Sequence, residues 1–81
     1  MTKNLYIVQE VLYDYTDGMV VIIASNLDEC RSLFIDEFGY GACLDTVIKE
    51  YDKAIAGNSY KVIPVSVNEE SRVVSYVYGG A

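Results

Sequence analysis

The chain has no histidine and no tryptophan, and only one proline, two phenylalanines and two cysteines among its 81 residues. Without histidine it can build neither a Ser-His-Asp or Cys-His nucleophile nor a histidine metal site. Cys30 and Cys43 are too few for a thiolate zinc site and are not spaced as C-x-x-C. With apolar neighbours and no secretory leader, they read as reduced, small core hydrophobes. Long apolar runs are also missing. The longest, Met19 to Ala24, falls far short of the roughly 20 residues that span a bilayer. Lys3 is an isolated early cation, and the segment after it contains Gln9 and Glu10, so the start does not resemble a signal peptide and the expected setting is the cytoplasm. Basic residues are scarce: six against twelve carboxylates, a formal charge of −6. Lys3, Arg31, Lys49, Lys53, Lys61 and Arg72 are dispersed, and nucleic acid and anionic membranes are bound through clustered Lys and Arg. Neither is expected as a direct partner.

What is present is 52% apolar and short enough for one compact domain, residues 1–81. Leu5 to Tyr13 reads as a strand, apolar on both parities, with Gln9-Glu10 marking a bulge or a change of face. Asp17-Gly18 is a hairpin signal, and Met19 to Ser25 is the returning strand, apolar on both faces and so expected to be central. Ser25-Asn26-Leu27-Asp28-Glu29 is a helix start, in which Ser25 with Asp28 or Asn26 with Glu29 can form a capping-box pair. Leu27, Cys30, Phe34 and Phe38 fall on one helical stripe, and Gly39-Tyr40-Gly41 should end that helix with a left-handed C-cap.

Leu44, Val47, Ile48, Tyr51 and Ile55 fit a second helix closed by Gly57-Asn58, although Thr46 to Tyr51 would also suit a short strand. The helix is preferred, because Lys49, Glu50, Asp52 and Lys53 occupy the opposite face. Tyr60 to Val67 is a strand that Pro64 should confine to an edge or a bulge, and Arg72 to Tyr78 is the last strand. The expected fold is α+β, ββα(α)ββ: two hairpins bracketing the helical segment, giving a four-stranded antiparallel sheet with one or two helices packed on one face.

No catalytic motif stands out. There is no G-x-S-x-G, P-loop, G-x-G-x-x-G or H-E-x-x-H, and Gly39-Tyr40-Gly41 follows a helix rather than a strand. Asp14/Asp17, Asp28/Glu29, Asp36/Glu37 and Glu69/Glu70 all fall at expected turns, helix ends or polar faces, where solvation accounts for them. Asp14, Thr16 and Asp17 offer too few oxygens for calcium. No enzyme activity, cofactor or metal is expected.

Tyrosine is the unusual component, with eight copies. It provides a stiff, amphipathic contact surface and is enriched at interfaces, but small β-rich domains also use it for cross-strand packing. Packing is the reading for Tyr6, Tyr51, Tyr60 and Tyr76; a contact surface is the reading for Tyr13, Tyr15 and Tyr40. Acidity likewise has two readings, solubility of a small apolar domain or mimicry of nucleic-acid charge.

The short acidic chain, the opening Tyr6-Ile7-Val8-Gln9-Glu10-Val11 followed by a hairpin, and the Ser25-Asn26-Leu27-Asp28-Glu29-Cys30 helix start resemble the small phage-encoded proteins that include anti-CRISPR inhibitors. The likeness extends over residues 1–35 and carries no diagnostic motif, so no functional residue is transferred. It implies a cytoplasmic, non-catalytic inhibitor whose carboxylates occupy a host nucleoprotein site meant for DNA or guide RNA. The leading expectation is therefore a binding module that occludes a basic surface, with Tyr13, Asp14, Tyr15, Asp17, Asp36, Glu37 and Tyr40 as its contacts. The alternative is a small self-associating structural or accessory subunit, a homodimer through a sheet edge or an apolar strand face. A protein that sequesters a small ligand is a weaker third, since no phosphate cradle is present.

Overall fold

In a computed structural model, residues 2–12, 18–39, 41, 44–66 and 70–77 are described. The elements are β1 (Thr2–Val11), β2 (Gly18–Ala24), α1 (Leu27–Phe38), α2 (Leu44–Ala56), β3 (Tyr60–Ser66) and β4 (Arg72–Val77). All neighbouring strands are antiparallel, in the order β3-β1-β2-β4, and both helices pack on one face. The α+β class, the central place of β2 and the helical form of residues 44–56 are as expected.

Side-chain alternation builds the core. Tyr6 and Val8 of β1 and Val20, Ile22 and Ala24 of β2 share the parity that faces the helices, and all are buried. Cys30, Phe34 and Phe38 meet them from α1, and Val47, Tyr51 and Ala54 from α2. Phe34 is central: it is fully buried, with ring centroids 5.0 Å from Phe38 and 5.3 Å from Tyr51. Gln9-Glu10 does mark a bulge. Gln9 lies opposite Met19 and Val11 opposite Gly18, leaving Glu10 over at φ +59°. The extra residue moves Val11, which has the parity of Leu5 and Ile7, into the core at 0% exposure.

Of the two capping pairs, Asn26 and Glu29 form. The Asn26 side chain accepts from the Glu29 N–H at 2.8 Å, and Glu29 Oε1 accepts from the Ser25 N–H at 2.8 Å. A cap of this kind contributes about 1 kcal/mol. The C-cap of α1 differs from expectation. Gly39 has φ −97°, outside the left-handed region, and Gly41 at φ +60° is the left-handed residue. Gly39 is needed for space instead, since a Cβ there would stand 2.8 Å from the Ile35 carbonyl oxygen and 3.0 Å from Leu44 Cδ1. At the end of α2, Asn58 takes the left-handed conformation, φ +58°.

The second hairpin does not form. β3 pairs with β1 and β4 with β2, so the last two strands lie at opposite edges. The edges are three strand spacings apart, roughly 14 Å. The pairing is decided by the helical segment, which carries the chain from β2 back over the sheet to the free side of β1.

Candidate interaction surface

β1 ends at Val11 and β2 begins at Gly18, so the first hairpin turns at the end of the sheet defined by that pair. Two ties fasten its base to the helical layer. The Leu12 N–H donates to Glu50 Oε2 of α2 at 3.1 Å, and the Leu12 side chain is 3% exposed. The Ser59 hydroxyl donates to Glu10 Oε2 just past α2. Glu10 and Leu12 are both held in the left-handed region, at φ +59° and +52°. That is a costly backbone for a bulky residue such as leucine, so the surrounding contacts must hold it there.

The last turn of α1 comes to the same end. Phe38 stacks edge-on against Tyr76 of β4 with centroids 5.0 Å apart, and Tyr76 lies opposite Val20, two residues into β2. Asp36 and Glu37 in this turn are exposed. Two cavities flank the hairpin base. One of about 300 Å³ is lined by Glu10, Lys53, Ala54, Gly57 and Ser59, and another of about 400 Å³ by Gln9, Glu10, Gly18, Met19 and Val77.

Of the expected contacts, Asp36 and Glu37 are thus placed, exposed, at the hairpin end. Tyr13, Asp14, Tyr15, Asp17 and Tyr40 lie outside the described residues, as does Cys43. Tyr6 and Tyr51 are core residues at 4% and 2% exposure, and Tyr60 packs against the core. Tyr76 departs from a pure packing role. One part of its ring meets Phe38 while 48% of the residue remains exposed at the end where the hairpin turns. Its exposure follows from the place of β4 at the edge of the sheet.

At the opposite end, Glu29 joins three segments, accepting from the Ser25 N–H and the Ser71 hydroxyl. Those two hydrogen bonds, Ser71 first, hold its carboxyl below the ordinary carboxylate range. Arg31 makes two hydrogen bonds to Asp52, at 3.0 and 3.3 Å, tying α1 to α2 on the surface. Inside, the Tyr51 hydroxyl donates to the Leu27 carbonyl at 3.4 Å, and burial pushes both the Tyr51 phenol and the Cys30 thiol up from their ordinary values. Among the described residues, no group of three or more carboxylates or thiols converges as a metal site would, and no helix is long and apolar enough to cross a membrane.

Neither helix packs on the other face of the sheet, where Ile23 is 8% exposed and Leu5, Ile7 and Val21 are half-buried. By register, Ile63, Leu5 and Ile23 form one apolar row across it, and Ile7 and Val21 form the next. No protein-family model, curated protein or solved structure matches this chain.

Proposed function

We propose that the protein is a non-catalytic protein-binding module that works by occluding a basic surface on a larger partner. The observation that carries this reading is the convergence, at one end of the sheet, of a hairpin base fastened by Glu50 and Ser59 with a helix end bearing exposed Asp36 and Glu37. Tyr13 and Tyr15 act as aromatic anchors, Asp14 and Asp17 as flanking carboxylates, and Tyr40, one residue beyond Gly39, extends the patch. A rigidly held base lowers the ordering cost of binding. Carboxylates meeting Lys and Arg speed the encounter and set its register.

In its specific form, which rests on the resemblance to small phage-encoded inhibitors, the partner is a nucleic-acid-holding host defence complex such as a CRISPR effector. The module then acts in the cytoplasm of a host bacterium without binding nucleic acid itself. The net charge of −6 favours a partner site that ordinarily accepts phosphates. The test is the double substitution Tyr13→Ala/Tyr15→Ala in a binding assay against the captured partner. Loss of the two anchors should weaken affinity at least tenfold with the fold intact by circular dichroism, and unchanged affinity removes the hairpin from the contact surface.

A further inference from the structure

We infer that Glu50 of α2 is a positioning residue for the hairpin contact surface: its carboxylate is the catch of a backbone latch at Leu12, not one of the carboxylates that meet the partner. The inference rests on the binding role proposed for the hairpin end, and adds to that role the group that aims it.

After Val8 the chain abandons strand alternation. Regular alternation would turn Gln9 and Val11 to one side of the sheet and Glu10 and Leu12, with Val8, to the helices. Instead Gln9 and Glu10 are both exposed, and Val11 and Leu12 are both core residues, at 0% and 3% exposure. Two left-handed residues make this pattern, Glu10 at φ +59° and Leu12 at φ +52°. The first is the bulge that brings Val11 in, and the second keeps Leu12 from turning out again. Neither is glycine, so each side chain crowds its own backbone. Such a conformation persists only where its surroundings over-determine it.

Burial of the Leu12 side chain does not by itself fix the backbone; the destination of its N–H does. Leu12 lies one residue past Val11 and Gly18, the last pair of the β1–β2 ladder, and its partly buried N–H donates to Glu50 Oε2 at 3.1 Å. A charged acceptor makes that hydrogen bond stronger than one to a neutral group. The placement of Glu50 agrees. The pattern of α2 sets Lys49, Glu50, Asp52 and Lys53 opposite the buried Val47, Tyr51 and Ala54. Lys49, Asp52 and Lys53 are exposed accordingly, whereas Glu50 is half-buried. Glu10 is held separately, by the Ser59 hydroxyl and by the bond from the Gln9 N–H to the Ser59 carbonyl at 2.8 Å. Tyr13 follows Leu12 directly, so the Leu12 backbone sets the direction in which the chain continues into Tyr13.

Glu50→Gln and Glu50→Ala separate the two roles, since glutamine keeps an acceptor oxygen without the charge and alanine keeps neither. In the free protein, a residue with positive φ gives a strong nuclear Overhauser effect between its own N–H and Hα, because the two hydrogens lie close. Wild type and Glu50→Gln should show that signal at Leu12 together with a slowly exchanging N–H. Glu50→Ala should lose the signal and exchange about tenfold faster, with the Phe34–Tyr51 ring contact unchanged. Affinity for the captured partner should follow: near wild type for Glu50→Gln and about tenfold weaker for Glu50→Ala. Adding Glu50→Ala to Tyr13→Ala/Tyr15→Ala should weaken binding no further, because Glu50 acts only through those anchors. If Glu50→Ala does not fold, Glu50→Met, which keeps the stem without an acceptor, carries the same expectations. A Leu12 signal that survives the loss of the acceptor overturns the inference. Affinity lost equally in Glu50→Gln and Glu50→Ala also overturns it, by making the charge a contact. So does full affinity in Glu50→Ala where Tyr13→Ala/Tyr15→Ala binds weakly. If the tyrosine pair itself proves dispensable, the binding role of the hairpin end falls, and the Leu12 signal still decides whether Glu50 holds the backbone.

Discussion

Tyr51 and Cys30 are both weak acids that the core holds neutral, and Glu29 is an acid that its hydrogen bonds hold charged. The three set opposite pH limits on stability. The thiol and phenol ionise near 9.0 and 10.0 in the unfolded chain and higher in the folded one. Their contribution is therefore whole below pH 9 and is lost as pH rises through and beyond those values. Glu29 is held below its ordinary 4.5, so its contribution is present above that value and lost as pH falls through the folded pKa. Urea unfolding across pH should show a plateau between the two limits. Cys30→Ala should move the alkaline onset from near pH 9 toward pH 10, and Glu29→Gln should flatten the acid limb; unaltered limbs in both variants would contradict these assignments. The Asn26–Glu29 cap was legible in sequence because a polar cap with an acid three residues on satisfies orphan N–H groups locally. The left-handed Leu12 was not, since nothing local favours that conformation for leucine and the N–H that holds it bonds to Glu50, far along the chain.

The two glycines around Tyr40 separate steric need from conformational need at the scale of an element. Gly39 has an ordinary φ but no room, and Gly41 has room but a left-handed φ. Gly39→Ala should destabilise by about 1–3 kcal/mol, because the clash falls on the Ile35 carbonyl backbone and on Leu44. Gly41→Ala should cost about 1 kcal/mol, the ordinary penalty of that backbone region for an L side chain. Thermal unfolding distinguishes the pair, and equal small effects would show that the helix end relaxes away from the clash. The helices and the first hairpin were legible because their signals are local: the Cys30-Phe34-Phe38 stripe, Asp17-Gly18, and Gly57-Asn58 closing α2. Pro64 also marked an edge correctly. The partners of β3 and β4 were not legible, because strand pairing depends on where the helical segment returns the chain. A short polar stretch between two strands serves a hairpin or a longer connection equally well.

For the whole molecule, charge is distributed unevenly between the two faces of the sheet. Exposed carboxylates at the end of α1 stand beside the fastened hairpin base, while the described residues of the face away from the helices carry cations but no carboxylate. Composition alone showed an acidic, tyrosine-rich domain with apolar residues on both parities of β1. It did not show that Tyr76 would remain 48% exposed, since that follows from β4 lying at an edge. The most direct test of the binding role is capture of partners from bacterial lysate by the tagged protein at low and at high salt, with bound proteins identified by mass. The expected result is one stoichiometric nucleic-acid-handling protein, retained at low salt and released at high salt as screening weakens carboxylate–cation contacts. A lane without a stoichiometric partner at low salt would contradict the occlusion mechanism.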